Sequence, residues 1–259
     1  MEGTRSAPLS GKVQLEAIFD ALALEYVRDR ERQVSFISQK RIVIELLGDA
    51  RGRLLEAGCG PAVMTPELLA MGFETHGVDL SGEMIRRARQ RMAGHPLEKR
   101  ARFARGDVER LQFPEGCFDA VLCMGVLEYL PTYSVALREI ARVLKPGGTV
   151  VLTVPNRASA YHVMRSSYRN LRRRHATGGD SRPCVPWRLD DELAAAGLRK
   201  LESRACNFIF FPLKELHEPL SDSLNRALLP LARTRVAPLL GAQYIVKAKK
   251  TAWRSASSA

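Results

Sequence analysis

Residues 54–61 read LLEAGCGP, which sets an acid, Glu56, two positions ahead of Gly58 and four ahead of Gly60. Glycines let a backbone approach a ligand closely. A dinucleotide loop would read GxGxxG, but here the third glycine is missing and Pro61 has no N–H to offer a phosphate. Glu56 would repel a pyrophosphate, so the expected ligand part is an ammonium group. Nineteen residues after Gly60 comes Asp79, at the end of THGVDLS, where an open α/β sheet places an acid on the two ribose hydroxyls. In GDVERL, Asp107 is positioned to accept from an adenine amino group. An acid near an amine, one for a ribose and one for an adenine, with no phosphate cradle, are the complement of S-adenosylmethionine.

Those residues need strands to carry them. Short apolar runs occur at 53–57, 75–79, 101–105, 118–123 and 149–155, with helical stretches between them at 64–71, 82–92 and 133–143. Such alternation predicts a parallel sheet with helices on both faces. LKPGG, at 144–148, predicts a turn that stops a helix and starts a strand. Ahead of the sheet, Leu15, Ile18, Phe19, Leu22 and Tyr26 recur at helical steps, and a second helix is expected to end at Gly48. The expected organisation is an N-terminal helical cap at 1–50, a cofactor-binding core at 51–156, and a basic and apolar cap at 157–259 that completes the sheet.

The stretches LLEAGCGP, GVDLS, GDVERLQFPEGCFDAVLCMGVLEYLP and LREIARVLKPGGTVVLTVPN, in that order and spacing, resemble class I S-adenosylmethionine-dependent methyltransferases. The similarity is to the small-molecule branch that includes the ubiquinone and menaquinone biosynthesis enzymes. The resemblance implies a Rossmann-like, mostly parallel sheet of seven strands with the last antiparallel. It further implies that Glu56, Gly58 and Gly60 surround the methionine part of the cofactor and that Asp79 takes the ribose. Leu80 and Met84 would wall the adenine, Asp107 and Val108 its edge. Met124 would line the methionine moiety, and Tyr26 would close over the cofactor from the N-terminal helix. Many relatives read LEH where this chain reads Leu127-Glu128-Tyr129. Gly125 and Tyr129 break that pattern, which removes a histidine base from this position and argues against a metal.

Composition bounds the alternatives. The chain of 259 residues has no run of 18 apolar residues and no apolar signal segment near its N-terminus, so a cytoplasmic protein is expected. Five cysteines without a CxxC pair argue against disulfides and a structural zinc. Residues 1–156 carry 21 Lys/Arg against 20 Asp/Glu, whereas residues 157–259 carry 19 against 8. Within the basic end, Tyr161, Met164, Tyr168 and Leu171 fall on one helical stripe among arginines, so residues 161–175 read as a solvated helix packed on the sheet edge, as a helix lying on an anionic membrane surface, or as an RNA contact. The apolar stretch 206–241, with Phe208, Phe210 and Phe211, is expected either to form the core of a C-terminal cap or to lie as a lid over a greasy substrate.

The leading expectation is O-methylation of a hydrophobic small molecule such as a phenol, quinone, polyketide or lipid, with N- or C-methylation open. Candidate bases are Tyr129, Tyr161, His162 and His217. A nucleic-acid methyltransferase is favoured by the charge but opposed by CMGVLEYLP, which lacks the N/D-P-P-aromatic motif of amino-group base methylases. A non-catalytic module that binds the cofactor is the third class.

Overall fold

A computed structural model describes residues 11–32, 34–164, 186–208, 218–234 and 236–251. Two helices come first, α1 (Gly11–Arg32) and α2 (Val34–Leu47). The sheet then builds through β1 (Gly52–Ala57), α3 (Thr65–Ala70), β2 (Phe73–Asp79), α4 (Gly82–Met92) and β3 (Ala101–Arg105). It continues with β4 (Phe118–Cys123), a short 3-10 turn at Leu127–Tyr129, α5 (Ser134–Val143) and β5 (Leu144–Pro155). The C-terminal part adds α6 (Pro186–Ala195), β6 (Leu198–Cys206), α7 (Glu218–Leu228) and β7 (Gln243–Lys250).

The seven strands form one sheet in the order β3-β2-β1-β4-β5-β7-β6. Pairings from β3 through β5 are parallel, and β7 runs antiparallel to both β5 and β6. The expected Rossmann-like sheet with an antiparallel last strand is therefore what the chain forms. Its central strands are covered on both faces, so they read as continuous apolar runs. Leu54, Leu55, Ala120, Val121, Val150, Val151 and Leu152 are all fully buried. The order of strand addition reverses between β1 and β4, which remain parallel, and the crevice at such a switch point is where ligands bind in open α/β sheets.

The structure refines two boundaries. Helix α1 already includes Gly11, ahead of the first apolar periodic residue. LKPGG lies inside β5 instead of preceding it. Phe118 pairs with Leu144 and Ala120 with Thr149, so residues 145–148 bulge against Asp119 alone. The strand starts, turns out at Gly147 (φ +76°) and resumes. Gly148 permits the return, because a Cβ there would lie 2.8 Å from the Lys145 carbonyl oxygen.

Candidate active site

A cavity of about 420 Å³ opens at the carboxyl ends of β1, β2, β3 and β4 and is roofed by α1. All ten residues expected around the cofactor line it: Tyr26, Glu56, Gly58, Gly60, Asp79, Leu80, Met84, Asp107, Val108 and Met124.

The glycine loop is satisfied internally. The Gly58 and Cys59 amides both donate to the Val78 carbonyl, at 2.8 and 2.9 Å, and the Gly60 amide donates to Asp79 Oδ2 at 2.9 Å. With Pro61 next, no N–H from this run remains to cradle a phosphate, which fits a ligand without one. Gly58 has a φ of +80°, and a Cβ there would lie 2.0 Å from Val126 Cγ2. The loop after β4 therefore packs directly on the loop after β1.

Three carboxylates mark the wall. Glu56 is 3% exposed, accepts a 2.5 Å hydrogen bond from Thr65 Oγ1, and faces the cavity. Burial pushes its pKa up to about 7, the Thr65 hydroxyl opposes this, and the Glu67 charge adds to it. A carboxyl held near neutrality in an apolar wall is ready to ionise against an arriving ammonium. Asp79 ends β2 with Oδ1 accepting from the Ser81 amide at 3.0 Å and Oδ2 from Gly60. Burial raises its pKa, while those two backbone hydrogen bonds act in the opposite sense. Each oxygen keeps a lone pair for a hydroxyl, and the backbone fixes the carboxylate's direction. Ser81 also caps α4, accepting from the Met84 amide at 3.0 Å, which seats Met84 in the wall.

Asp107 is partly exposed, its side chain at 29%. Its Oδ1 accepts from the Glu109 amide at 2.9 Å, and its Oδ2 accepts from Lys12 Nζ at 2.5 Å. Lys12 also pairs with Glu109 at 2.6 Å. The sequence reading missed Lys12. It missed Phe19, Phe36, Val126, Leu130 and Pro131 as well, which make the opposite wall apolar. A signal existed for Lys12, because Lys12, Glu16 and Asp20 form a polar stripe at i, i+4, i+8 on α1.

The candidate bases separate. Tyr129 lines the cavity, with its ring edge-on to Phe19 at 5.1 Å between centroids. His162 does not line it: its Nδ1 sits 3.2 Å from Ser159 Oγ and its ring packs edge-on to Tyr161. The helical turn that starts at Ser159 holds this pair after β5, so neither residue reaches the cavity. Tyr161 is also 8% exposed, which removes it from the lipid-facing stripe expected of it, whereas Met164 on that stripe is exposed. His217, Phe210, Phe211 and the arginines at 165–182 lie outside the described residues. Among the described residues no group of three or more His, Cys, Asp or Glu could hold a metal ion. No described helix is long and apolar enough to cross a membrane.

Residues 55–152 match the family described as a methyltransferase domain. This segment carries a methyltransferase domain, in the fold that S-adenosylmethionine-dependent methyltransferases adopt. Over 114 residues the chain is 35% identical to a ubiquinone biosynthesis O-methyltransferase of Xanthomonas oryzae pv. oryzae, covering 43% of this chain and 46% of that protein. The chain thus spans about half the length of the curated relatives it matches. Among solved structures, magnesium protoporphyrin IX methyltransferase from Synechocystis PCC 6803 with bound SAH superposes with a TM-score of 0.67 at 16% identity, covering 93% of this chain and all of that one. The cyclase SpnF superposes with a TM-score of 0.66 at 20% identity, covering 94% and 97%. At such identities the likeness carries the fold of the methyltransferase domain.

Proposed function

We propose that this protein is a methyltransferase that binds S-adenosylmethionine along the strand-end wall and methylates a hydroxyl of a hydrophobic small molecule against the opposite wall. One observation carries this reading: a single cavity of about 420 Å³ joins three carboxylates on one side to Phe19, Phe36, Val126 and Tyr129 on the other. That size lies in the range of small-molecule sites. Bound there, S-adenosylmethionine supplies an electrophilic methyl group. Glu56 holds the amino-acid end, Asp79 the ribose and Asp107 the adenine edge. The apolar wall orients the acceptor and excludes water, so proximity and alignment provide most of the acceleration. An acceptor such as a phenol or quinol supplies part of its own acidity, which lightens the demand on a base.

The test is transfer of a labelled methyl group to a panel of phenols, quinols, lipids and amines, with bulk tRNA and rRNA alongside. Labelled phenol, quinol or lipid ether supports the reading. Transfer to RNA alone would overturn it in favour of a nucleic-acid enzyme.

The basic end supports a second contact, with anionic lipid through the arginines of residues 161–175, the buried Tyr161 taking no part. Its support is the sequence, seven arginines against one acid over 157–182. Each arginine near such a surface contributes on the order of 1 kcal/mol. Sedimentation with anionic and neutral vesicles should show salt-sensitive preference for the anionic ones, diminished by replacing Arg172, Arg173 and Arg174 with Gln. Equal binding to both would end the idea.

A further inference from the structure

Helix α1 is fastened to the molecule in an unusual way. Among its described side chains only Ala23 is buried. Its inward apolar residues, Leu15, Phe19 and Tyr26, face the cavity. Val13, Ile18 and Leu22 on its outer side are between 41% and 47% exposed. The described side chains of this 22-residue helix therefore gain little from the core. Beside the Phe19–Tyr129 contact, a polar stripe fastens it. Lys12 bridges Asp107 and Glu109, Glu16 pairs with Arg105 at 2.6 Å, and Asp20 accepts from the Ser81 hydroxyl and from the Glu83 amide. Every one of these partners lies on or just after the ends of β2 and β3, around the seats of Asp79 and Asp107.

We propose that α1 is a strap over the nucleoside end of the cavity and that Lys12, bridging Asp107 and Glu109, is the latch that must open for cofactor and spent cofactor to exchange. Ligand completes the packing surface under Leu15, Phe19 and Tyr26, so the strap closes more firmly on an occupied cavity. This inference rests on the reading of the cavity as a cofactor site. Because the latch is an exposed ion bridge, salt weakens it.

Two measurements test it. Stopped-flow binding of S-adenosylhomocysteine should show that Lys12→Met speeds both association and dissociation by about fivefold, the range of an exposed charge bridge. The wild-type rates should rise with salt, and those of Lys12→Met should be nearly flat. Hydrogen exchange of the ligand-free protein should show faster exchange across α1 in Lys12→Met, with β1 and β4 unchanged. Glu109→Gln, which leaves Lys12 and Asp107 in place, should move both readouts in the same direction by less. Unchanged rates with unchanged α1 exchange would overturn the latch. If the wild type binds no S-adenosylhomocysteine, the cofactor reading fails instead, and exchange in the ligand-free protein still decides whether Lys12 fastens α1.

Discussion

The two walls of the cavity are built by different means. On the strand-end wall, position is set by backbone: Gly58, Cys59 and Gly60 amides bond to Val78 and Asp79, and Ser81 bonds both Asp79 and Met84. On the opposite wall, position is set by side chains of α1, α2 and the 127–131 turn, which meet through contacts such as the Phe19–Tyr129 edge. A backbone-built wall accommodates one ligand chemistry and resists change. A side-chain wall on a loosely seated helix can be altered residue by residue, which suits the end that must accept a particular substrate.

The sharpest break in that contrast is Gly58→Ala. The new Cβ would meet Val126 Cγ2 at 2.0 Å on a backbone of φ +80°, so overlap adds to conformational strain. Urea denaturation should show a loss of about 3 kcal/mol. Gly94→Ala is the control. It has φ +75° with nothing within 4 Å, so only strain remains, about 1 kcal/mol. Equal losses at the two sites would mean that the β1 and β4 loops do not press on each other as described.

Asp79→Ala tests the same wall through its ligand. It removes the proposed ribose acceptor and leaves the Gly60 and Ser81 amides without their partner. Calorimetry should find S-adenosylhomocysteine bound about 2 kcal/mol more weakly, the cost of unpaired polar groups in a bound site. An unchanged affinity would take the ribose role away from Asp79.

Glu56 sharpens the comparison by pH. Its folded pKa is raised from 4.5 to about 7, chiefly by burial. A carboxyl raised in this way favours the ligand-free fold most below its unfolded pKa, and that increment is lost as pH rises through about 7. An ammonium ligand wants the ionised form, so binding should release a proton. Affinity for S-adenosylhomocysteine should then rise about tenfold, or 1.4 kcal/mol, between pH 6 and pH 8. Glu56→Gln should bind weakly with a much flatter profile. Asp79, also raised by burial, acts in the same sense.

The two walls were unequally legible in the sequence. Glu56, Gly58, Gly60, Asp79 and Asp107 sit at strand ends, where the alternation of strand and helix fixes both their place and their direction. Five strands and the position of the crevice followed from the same pattern, whereas the full count of seven came from the resemblance. Phe19 and Phe36 could be assigned to helices but not to a cavity, because a helical apolar residue reads the same whether it packs on a core or on a ligand. Lys12 escaped because its partners are 95 and 97 residues away, a separation no local pattern reports. His162 misled for the converse reason: its chemistry suited a base, but Ser159, three residues earlier, engages the ring.

The smallest expected effect belongs to Tyr129→Phe. The ring of Tyr129 is held edge-on to Phe19, and phenylalanine preserves that contact along with its place in the apolar wall. If the wall acts by orienting an acceptor that supplies its own acidity, loss of the hydroxyl should lower kcat by less than about threefold, well short of the hundredfold or more expected of a general base. Cofactor affinity should stay within about twofold, or 0.4 kcal/mol. Tyr129→Ala, which removes the ring, should raise KM for the acceptor more than it lowers kcat, because it takes away packing and leaves the carboxylate wall intact. A hundredfold fall in kcat for Tyr129→Phe, with the limb of the pH–rate profile that rises with pH displaced, would instead make the phenol the base. It would also give the side-chain wall a fixed chemical role alongside its packing one.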